Sequence, residues 1–321
     1  MKTLIDFDAA PVFAIPMHSR AGRPREGMLI EGPQGWGEFS PEDSRAHHVL
    51  ARWLTAATEA GTVGWPDPIR GRVPVAVTVP ATDAARAHKM VANAGCRTAD
   101  VTVAERPGSL DDDIARVQAV RNALGPDAAI RCDAKGRWDV DAAVSAIAAL
   151  DRAADGLEFI EQPCRTLDEL AVVRRKVDVR IAVDESVRDA QDPGELPLAE
   201  AADIVVLTYG PLGGVRRALR LAETYELPCV VSSTAATSIG AAAALALAGA
   251  LPELLFACGL GTRLLLAGDL VSEQRSLAPV DGYLPVAPMP SAPDPDLIKQ
   301  FAVTDQATIA RWRERLHLAC T

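Results

Sequence analysis

Positive charge is in short supply in this chain: 33 Lys and Arg stand against 43 Asp and Glu, for a formal net charge of −10. Such a surface repels a phosphate backbone and an anionic lipid surface alike, so no nucleic acid and no membrane is expected as a partner. Cysteines are few and scattered, at positions 96, 132, 164, 229, 258 and 320, with no C-x-x-C. Neither a disulfide framework nor a zinc knuckle is signalled, and a reducing cytoplasm is the expected home. Long apolar runs are missing as well. The most apolar stretch, Ile239 to Leu251, is Ala-rich and stops at Pro252-Glu253, short of the roughly 20 residues a bilayer needs; it reads as a buried helix. Met1-Lys2-Thr3 runs into Asp6 and Asp8 before any apolar block forms, so no signal or transit segment is expected. No G-x-G-x-x-G follows an early strand, which leaves a doubly wound dinucleotide fold without its phosphate-binding turn.

What is present is an ordinary folded composition, 49% hydrophobic and 24% charged, over a length that suits one large α/β barrel or two smaller domains. From about Val73 onward, short β-rich runs alternate with Ala/Leu/Arg-rich helical stretches. Pro74–Val79, Thr98–Val103, Ala129–Asp133, Leu157–Glu161, Arg180–Asp184, Asp203–Thr208, Cys229–Ser232 and Leu255–Cys258 read as strands. The steps between Thr102, Asp133, Glu161, Asp184, Thr208 and Ser232 are 31, 28, 23, 24 and 24 residues, the length of one βα unit repeated. Helices are expected over Ile114–Leu124, with Ser109 and Asp112 as a capping box, and over Asp139–Leu150, Leu167–Lys176, Gly213–Tyr225 and Thr237–Ala250. Strands that are nearly all apolar up to a polar last residue argue for a parallel sheet buried on both faces, and a (β/α)₈-type barrel places its chemistry at those ends. Residues 1–72 differ, with strand-like Val12–Ile15 and Gly27–Glu31, the Gly35-Trp36-Gly37-Glu38 turn and a helix over Arg45–Ala60. They read as a small α+β capping domain ahead of a barrel at 73–279. The Pro-rich tail, 280–321, ends in a helix around Thr308–Leu318 that is expected to pack back on the cap, the alternative being a disordered tail.

Three carboxylates close consecutive strand runs: Asp133 in Arg131-Cys132-Asp133, Glu161 in Phe159-Ile160-Glu161, and Asp184 in Ala182-Val183-Asp184. In a barrel these ends converge, and three carboxylate oxygens on adjacent strands suit a hard cation such as Mg²⁺. Acids at such positions also cap helices, which is the plainer explanation for each taken singly.

At these residues the chain resembles the o-succinylbenzoate synthases of actinobacteria, members of the enolase superfamily. The likeness is carried by Arg25-Glu26-Gly27, Gly35-Trp36-Gly37-Glu38-Phe39, Val77-Thr78-Val79-Pro80-Ala81, Val101 through Glu105, Trp138-Asp139-Val140, Glu161-Gln162-Pro163-Cys164, Asp184-Glu185-Ser186, Pro211-Leu212-Gly213-Gly214, Ser232-Ser233 and Cys258-Gly259-Leu260. The resemblance implies a capping domain on a modified (β/α) barrel, and Mg²⁺ held by Asp133, Glu161 and Asp184. It implies substrate contacts at Ser232, Ser233, Gly259 and Leu260, and dehydration of a cyclohexadiene carboxylate to o-succinylbenzoate in menaquinone synthesis. The superfamily's pairing of a Lys or His base with Mg²⁺ is a known example. This sequence departs from that pattern where the chemistry would lie. The family's Lys-x-Lys at the second strand reads Asp100-Val101-Thr102, and its second lysine, at the sixth strand, reads Thr208. A Thr hydroxyl neither takes an α-proton at neutral pH nor supplies a cation beside an enolate. Lys135 stands where the family has Asn, Ala76 replaces an Asn and Ala236 a Glu, and the loops Pro16–Arg25 and Ser40–His48 are rewritten.

Lys135 follows Asp133 by two residues, so on an extended segment its ammonium would share the acidic face and stand in for the metal's charge; if the strand ends at Asp133, it points to water. Mg²⁺ is thus a possible cofactor that Lys135 replaces or displaces. Asp100 is expected to partner Lys135 or to bond backbone amides at the strand end. The five histidines, at 18, 47, 48, 88 and 317, miss every barrel strand end; His18, His47 or His48 could look down from the cap, and any activity is expected to depend on the cap. Asp100, Lys135 and His18 are therefore the catalytic candidates. Three functions remain open: a repurposed lyase or cyclase acting on a small carboxylate or cyclic metabolite, a pseudoenzyme or binding protein, and a working o-succinylbenzoate synthase, ranked last because both lysines are missing. The partner is a small molecule in each case; the oligomeric state is not fixed by the sequence, and a monomer is compatible with it.

Overall fold

The computed structural model describes residues 5–18, 23–42, 46–287 and 289–321. The chain opens on an antiparallel sheet of β1 (Val12–Ile15), β2 (Arg25–Gly32) and β3 (Gly35–Phe39) in that order. Helix α1 (His47–Thr62) lies against it at close range: a Cβ on Gly37 would sit 1.9 Å from the Ala57 carbonyl oxygen, so only glycine admits this approach. The barrel region follows as β4 (Arg72–Pro74), β5 (Val77–Val79), α2 (Ala84–Ala92), β6 (Thr98–Thr102), α3 (Leu110–Leu124), β7 (Ala129–Asp133), α4 (Val140–Ala154) and β8 (Ile160–Glu161). Then come α5 (Leu167–Arg174), β9 (Ile181–Val183), α6 (Glu185–Arg188), β10 (Ile204–Thr208), α7 (Tyr209–Leu212), α8 (Val215–Tyr225), β11 (Cys229–Ser232) and α9 (Ser238–Ala250). The chain ends with β12 (Tyr283–Pro285), α10 (Pro295–Phe301) and α11 (Gln306–Cys320).

Strands β5 to β11 form one parallel sheet in sequential order. Closure comes from residues 258–259, where Cys258 bridges Val75 and Gly259 bridges Ser232, both parallel. The eighth strand expected over Leu255–Cys258 is therefore reduced to a two-residue bridge, because Leu255 turns out to solvent, 64% exposed, behind Pro252. Alternation along the strands separates two cores, as the period of two requires. Phe159, Ala182, Ile204, Val206, Val230 and Phe256 fill the barrel interior, while Ile160, Ile181, Val183, Val205, Leu207 and Val231 face the helices.

The helices start where short polar side chains take up free amides: Asp83, Asp139, Thr166, Thr237 and Asp305 each accept a backbone N–H of the first turn. The box expected at Ser109 is not formed. Its hydroxyl donates instead to buried Asp113 (2.9 Å), which also accepts from the Ala104 amide, and Thr166 with Glu169 supplies the reciprocal box. Within the tail, α11 packs on α1, Trp312 stands edge-on to Phe39 at 6.1 Å, and the Trp312 indole donates to Glu26 (2.8 Å). The Ala-rich run lies buried in α9, and no helix among the described residues is long and apolar enough to cross a membrane. All six cysteines are free thiols.

Candidate functional site

A cavity of about 450 Å³ opens at the carboxyl ends of the parallel strands. Strand register decides what shares it. Thr102 pairs with Asp133 and Asp133 with Glu161, placing β6, β7 and β8 ends side by side, while Thr208 pairs with Ser232 across β10 and β11. Asp100, Thr102, Asp133, Glu161, Asp184 and Thr208 all line the cavity.

On the acidic side, buried Gln162, at φ +40°, fixes the strand ends. Its carbonyl accepts from the Asp184 amide (2.9 Å) and the Ser186 amide (3.2 Å), and its amide donates to Ser186 Oγ (2.7 Å) and the Cys164 carbonyl (2.9 Å). Burial, countered in part by Lys135, pushes the Asp133 carboxyl up to about 7. Asp184 is pushed up to about 6 by burial despite Arg188, and Glu185 to about 7 by burial and Asp184. Burial and the neighbouring Asp133 and Asp184 carry Glu161 well above the ordinary carboxylate range.

The strand stops at Asp133, so the shared extended face expected for Lys135 is not what joins them. Lys135 sits in a left-handed turn, φ +54°, with its side chain 39% exposed. Its amide donates to Asp133 Oδ1 (3.0 Å) and its ammonium folds back to 3.8 Å from Asp133 Oδ2. Asp133 raises the Lys135 pKa, which favours the charged amine. Arg188, one turn along α6, reaches Asp184 Oδ2 (3.4 Å) and Glu185 Oε1 (2.6 Å). Neither Arg188 nor Glu185 is among the residues expected from the sequence; the i, i+4 spacing from Asp184 to Arg188 is the signal that points to the first.

The three carboxylates are the hard-oxygen donors that Mg²⁺ takes, and Asp184 Oδ1 is buried without a hydrogen-bond partner. Yet among the described residues no three His, Cys, Asp or Glu side chains come together closely enough to hold a metal. Lys135 and Arg188 lie on the outer oxygens of two of them. The donor set is one that suits the ion, with two cations standing beside it.

The opposite side is built from hydroxyls. Thr78 on β5, Thr102 on β6, Thr208 on β10 and Ser232 on β11 line it, and Ser233 bonds Thr262 (2.9 Å) beside them. Asp100 does not meet Lys135, as its strand position suggested it would. It pairs with Arg131 (3.2 Å), a fully buried guanidinium in the barrel interior that also donates to the Ala257 carbonyl (2.8 Å) and lies over the Phe159 ring. Burial pulls the Arg131 pKa down, but Asp100 and Glu161 more than compensate and hold it above the ordinary value.

Of the residues tied to substrate, Ser232, Ser233 and Gly259 line the cavity. Gly259 also has a packing reason, since a Cβ there would lie 2.6 Å from Ser232 Oγ. Leu260 does not line the cavity; its side chain belongs to the core against the helices. His18 lies outside the lining too: it is exposed, held through its backbone to Leu265 and Arg86. His47 meets Thr321 and His48 the Asp189 carbonyl, so neither looks into the mouth. Parts of both rewritten loops, residues 19–22 and 43–45, lie outside the described residues. From the cap, Arg25 reaches the cavity: it donates to Ser40 Oγ (3.0 Å) and to Thr234 Oγ1 (3.2 Å) on the loop after β11.

A cap of three antiparallel strands and a helix, followed by a parallel barrel with acids at three neighbouring strand ends, defines an enolase-type protein. A family model described as enolase C-terminal domain-like matches residues 82–293, and one described as enolase N-terminal domain-like matches residues 12–61. The o-succinylbenzoate synthase of Thermobifida fusca is 52% identical over 309 residues, covering 96% of this chain and 94% of that protein. That of Mycolicibacterium smegmatis is 48% identical, covering 92% and 90%. In fold, the chain is similar to the muconate lactonizing enzyme of Pseudomonas putida, with TM-score 0.75 at 21% identity, covering 93% of this chain and 99% of that one. This chain belongs to the o-succinylbenzoate synthase family of the enolase superfamily.

Proposed function

We propose that the chain is a divergent member of this family, a lyase or cyclase that acts on a small carboxylate or cyclic metabolite without a lysine acid/base pair. The observation that carries this reading is the residue pair at the β6 and β10 ends, Thr102 and Thr208, with Lys135 the one lysine among the described residues that line the cavity. A raised-pKa ammonium beside Asp133 supplies positive charge to a developing anion and cannot accept its proton. Asp133, Glu161 and Asp184 remain the proposed metal ligands, with Lys135 and Arg188 competing for the same oxygens, so Mg²⁺ binds weakly. We also propose a cap over 1–72 joined by 280–321, a barrel over 73–279, and a cytoplasmic home.

The experiment is a turnover assay of the purified chain on the family's cyclohexadiene carboxylate. Losing a general acid or base costs about 10²–10⁴-fold, and two such groups are replaced, so the expected rate lies at least that far below the relatives'. Thr102→Lys with Thr208→Lys restores a trace only, because Lys135 and Ala76 also differ. Turnover at the relatives' rates overturns the proposal and favours a second reading, a working o-succinylbenzoate synthase, which the 52% identity supports. Absence of any turnover alongside tight ligand binding favours a binding protein on this scaffold.

A further inference from the structure

We infer that the half of the cavity formed by β5, β6, β10 and β11 binds an uncharged ring bearing several hydroxyls, a sugar or a cyclitol. This rests on the reading of the mouth as a small-molecule site and narrows its ligand. Thr208 is only 3% exposed and lines the cavity, yet its hydroxyl has no hydrogen-bond partner among the described residues. The hydroxyls of Thr102 and Ser232, which line the same space, have none either, and Thr78 Oγ1 is buried and unpartnered. Register sets them on an arc, Ser232 beside Thr208 on one arm and Thr78 beside Asp100 on the other.

A hydroxyl gives one donor and two acceptor positions and no charge. An arc of four therefore matches a partner whose rim also carries both donors and acceptors. A carboxylate placed against these hydroxyls would lose its hydration and find one cation at the edge, Arg25, already bonded to Ser40 and Thr234. The guanidinium next to this half, Arg131, is already committed to Asp100, the Ala257 carbonyl and the Phe159 ring. Across the whole cavity, seven acidic side chains face Arg25, Lys135 and Arg188, so the field disfavours a dianion throughout. A buried hydroxyl left unpaired, as Thr78 Oγ1 is, is costly, and a ligand that satisfies it is selected over one that does not.

The test is calorimetric titration of the full chain with myo-inositol and scyllo-inositol, with D-glucose and D-mannose, and with o-succinylbenzoate. At least one neutral ring is expected to saturate the site and to bind more tightly than o-succinylbenzoate, and the arm that binds separates cyclitol from sugar. Thr208→Val is then expected to weaken that ring about tenfold, the equivalent of about 1.4 kcal/mol. Ser232→Ala is the second variant should Thr208→Val unfold, with thermal melts as the check on folding. Failure of all four rings to bind, tighter binding of o-succinylbenzoate, or an affinity that neither substitution changes overturns the inference. A chain that binds a ring but turns over nothing keeps this inference and loses the proposed lyase or cyclase activity.

Discussion

The two halves of the barrel mouth are made by the same repeated unit and solve the problem of a buried polar group in opposite ways. Under β7, β8 and β9 the acids are crowded, their proton affinities are raised, and cations reach in from Lys135 and Arg188 to neutralise them. Under β5, β6, β10 and β11 the lining is mostly hydroxyls, and the carboxylate among them, Asp100, is paired with Arg131 within the protein. The first half is lined by acids and cations, the second mainly by hydroxyls. Lys135 and Arg188 thus serve one side of the cavity, and the hydroxyls, with Arg25 at their edge, the other.

The largest effect that would break this contrast is at the buried pair. Arg131→Leu leaves Asp100 without its partner beside the barrel interior, and breaking a buried pair costs about 3–5 kcal/mol; Asp100 is 15% exposed on its side chain, so the lower figure is expected. Denaturant unfolding reads it, and adding Asp100→Asn should return part of the loss. Were Arg131→Leu neutral, the charge of the hydroxyl half would not be internally compensated as described.

Next comes the support behind that half. Asp269 accepts from the Ser238 amide and hydroxyl and from Arg263, and these bonds outweigh its burial to hold its pKa below the ordinary value. A depressed native pKa contributes stability that is present above the unfolded value near 3.9 and lost as pH falls through the native one. Asp269→Asn should cost about 1–3 kcal/mol at neutral pH and flatten the acid limb of stability below about pH 4. An unchanged acid limb in thermal melts would remove Asp269 from the account.

On the charged half, Lys135→Asn takes away a cation that competes for Asp133. Calorimetry with Mg²⁺ should show little binding to the unmodified chain and about tenfold stronger binding to the variant, a modest gain because an ammonium this exposed is screened. Tight Mg²⁺ binding by the unmodified chain would show that the acidic side chains close on a metal despite Lys135. The smallest effect is expected at His18, whose exposed ring lies outside the cavity lining. His18→Ala should leave ligand affinity within about twofold, and a larger loss would bring His18 into the site.

The sequence by itself determined the repeat of βα units, the parallel sheet, and the polar residue that ends each strand, because strand periodicity and helix stops are local properties of the chain. It also places Thr102 and Thr208 at the polar ends of two of those strand runs. The tertiary structure alone decided partners. Asp100 met Arg131 instead of Lys135 because β6 and β7 pair in a register that sets residue 100 against residue 131. Lys135 reached Asp133 through a left-handed turn that strand alternation does not predict, and Leu260, adjacent to a cavity residue, turned into the core. His47 meets Thr321 and His48 the Asp189 carbonyl, contacts made between residues far apart in the chain. Periodicity assigns a side chain to a face; what it finds there depends on which distant segment the closed barrel brings to the same end.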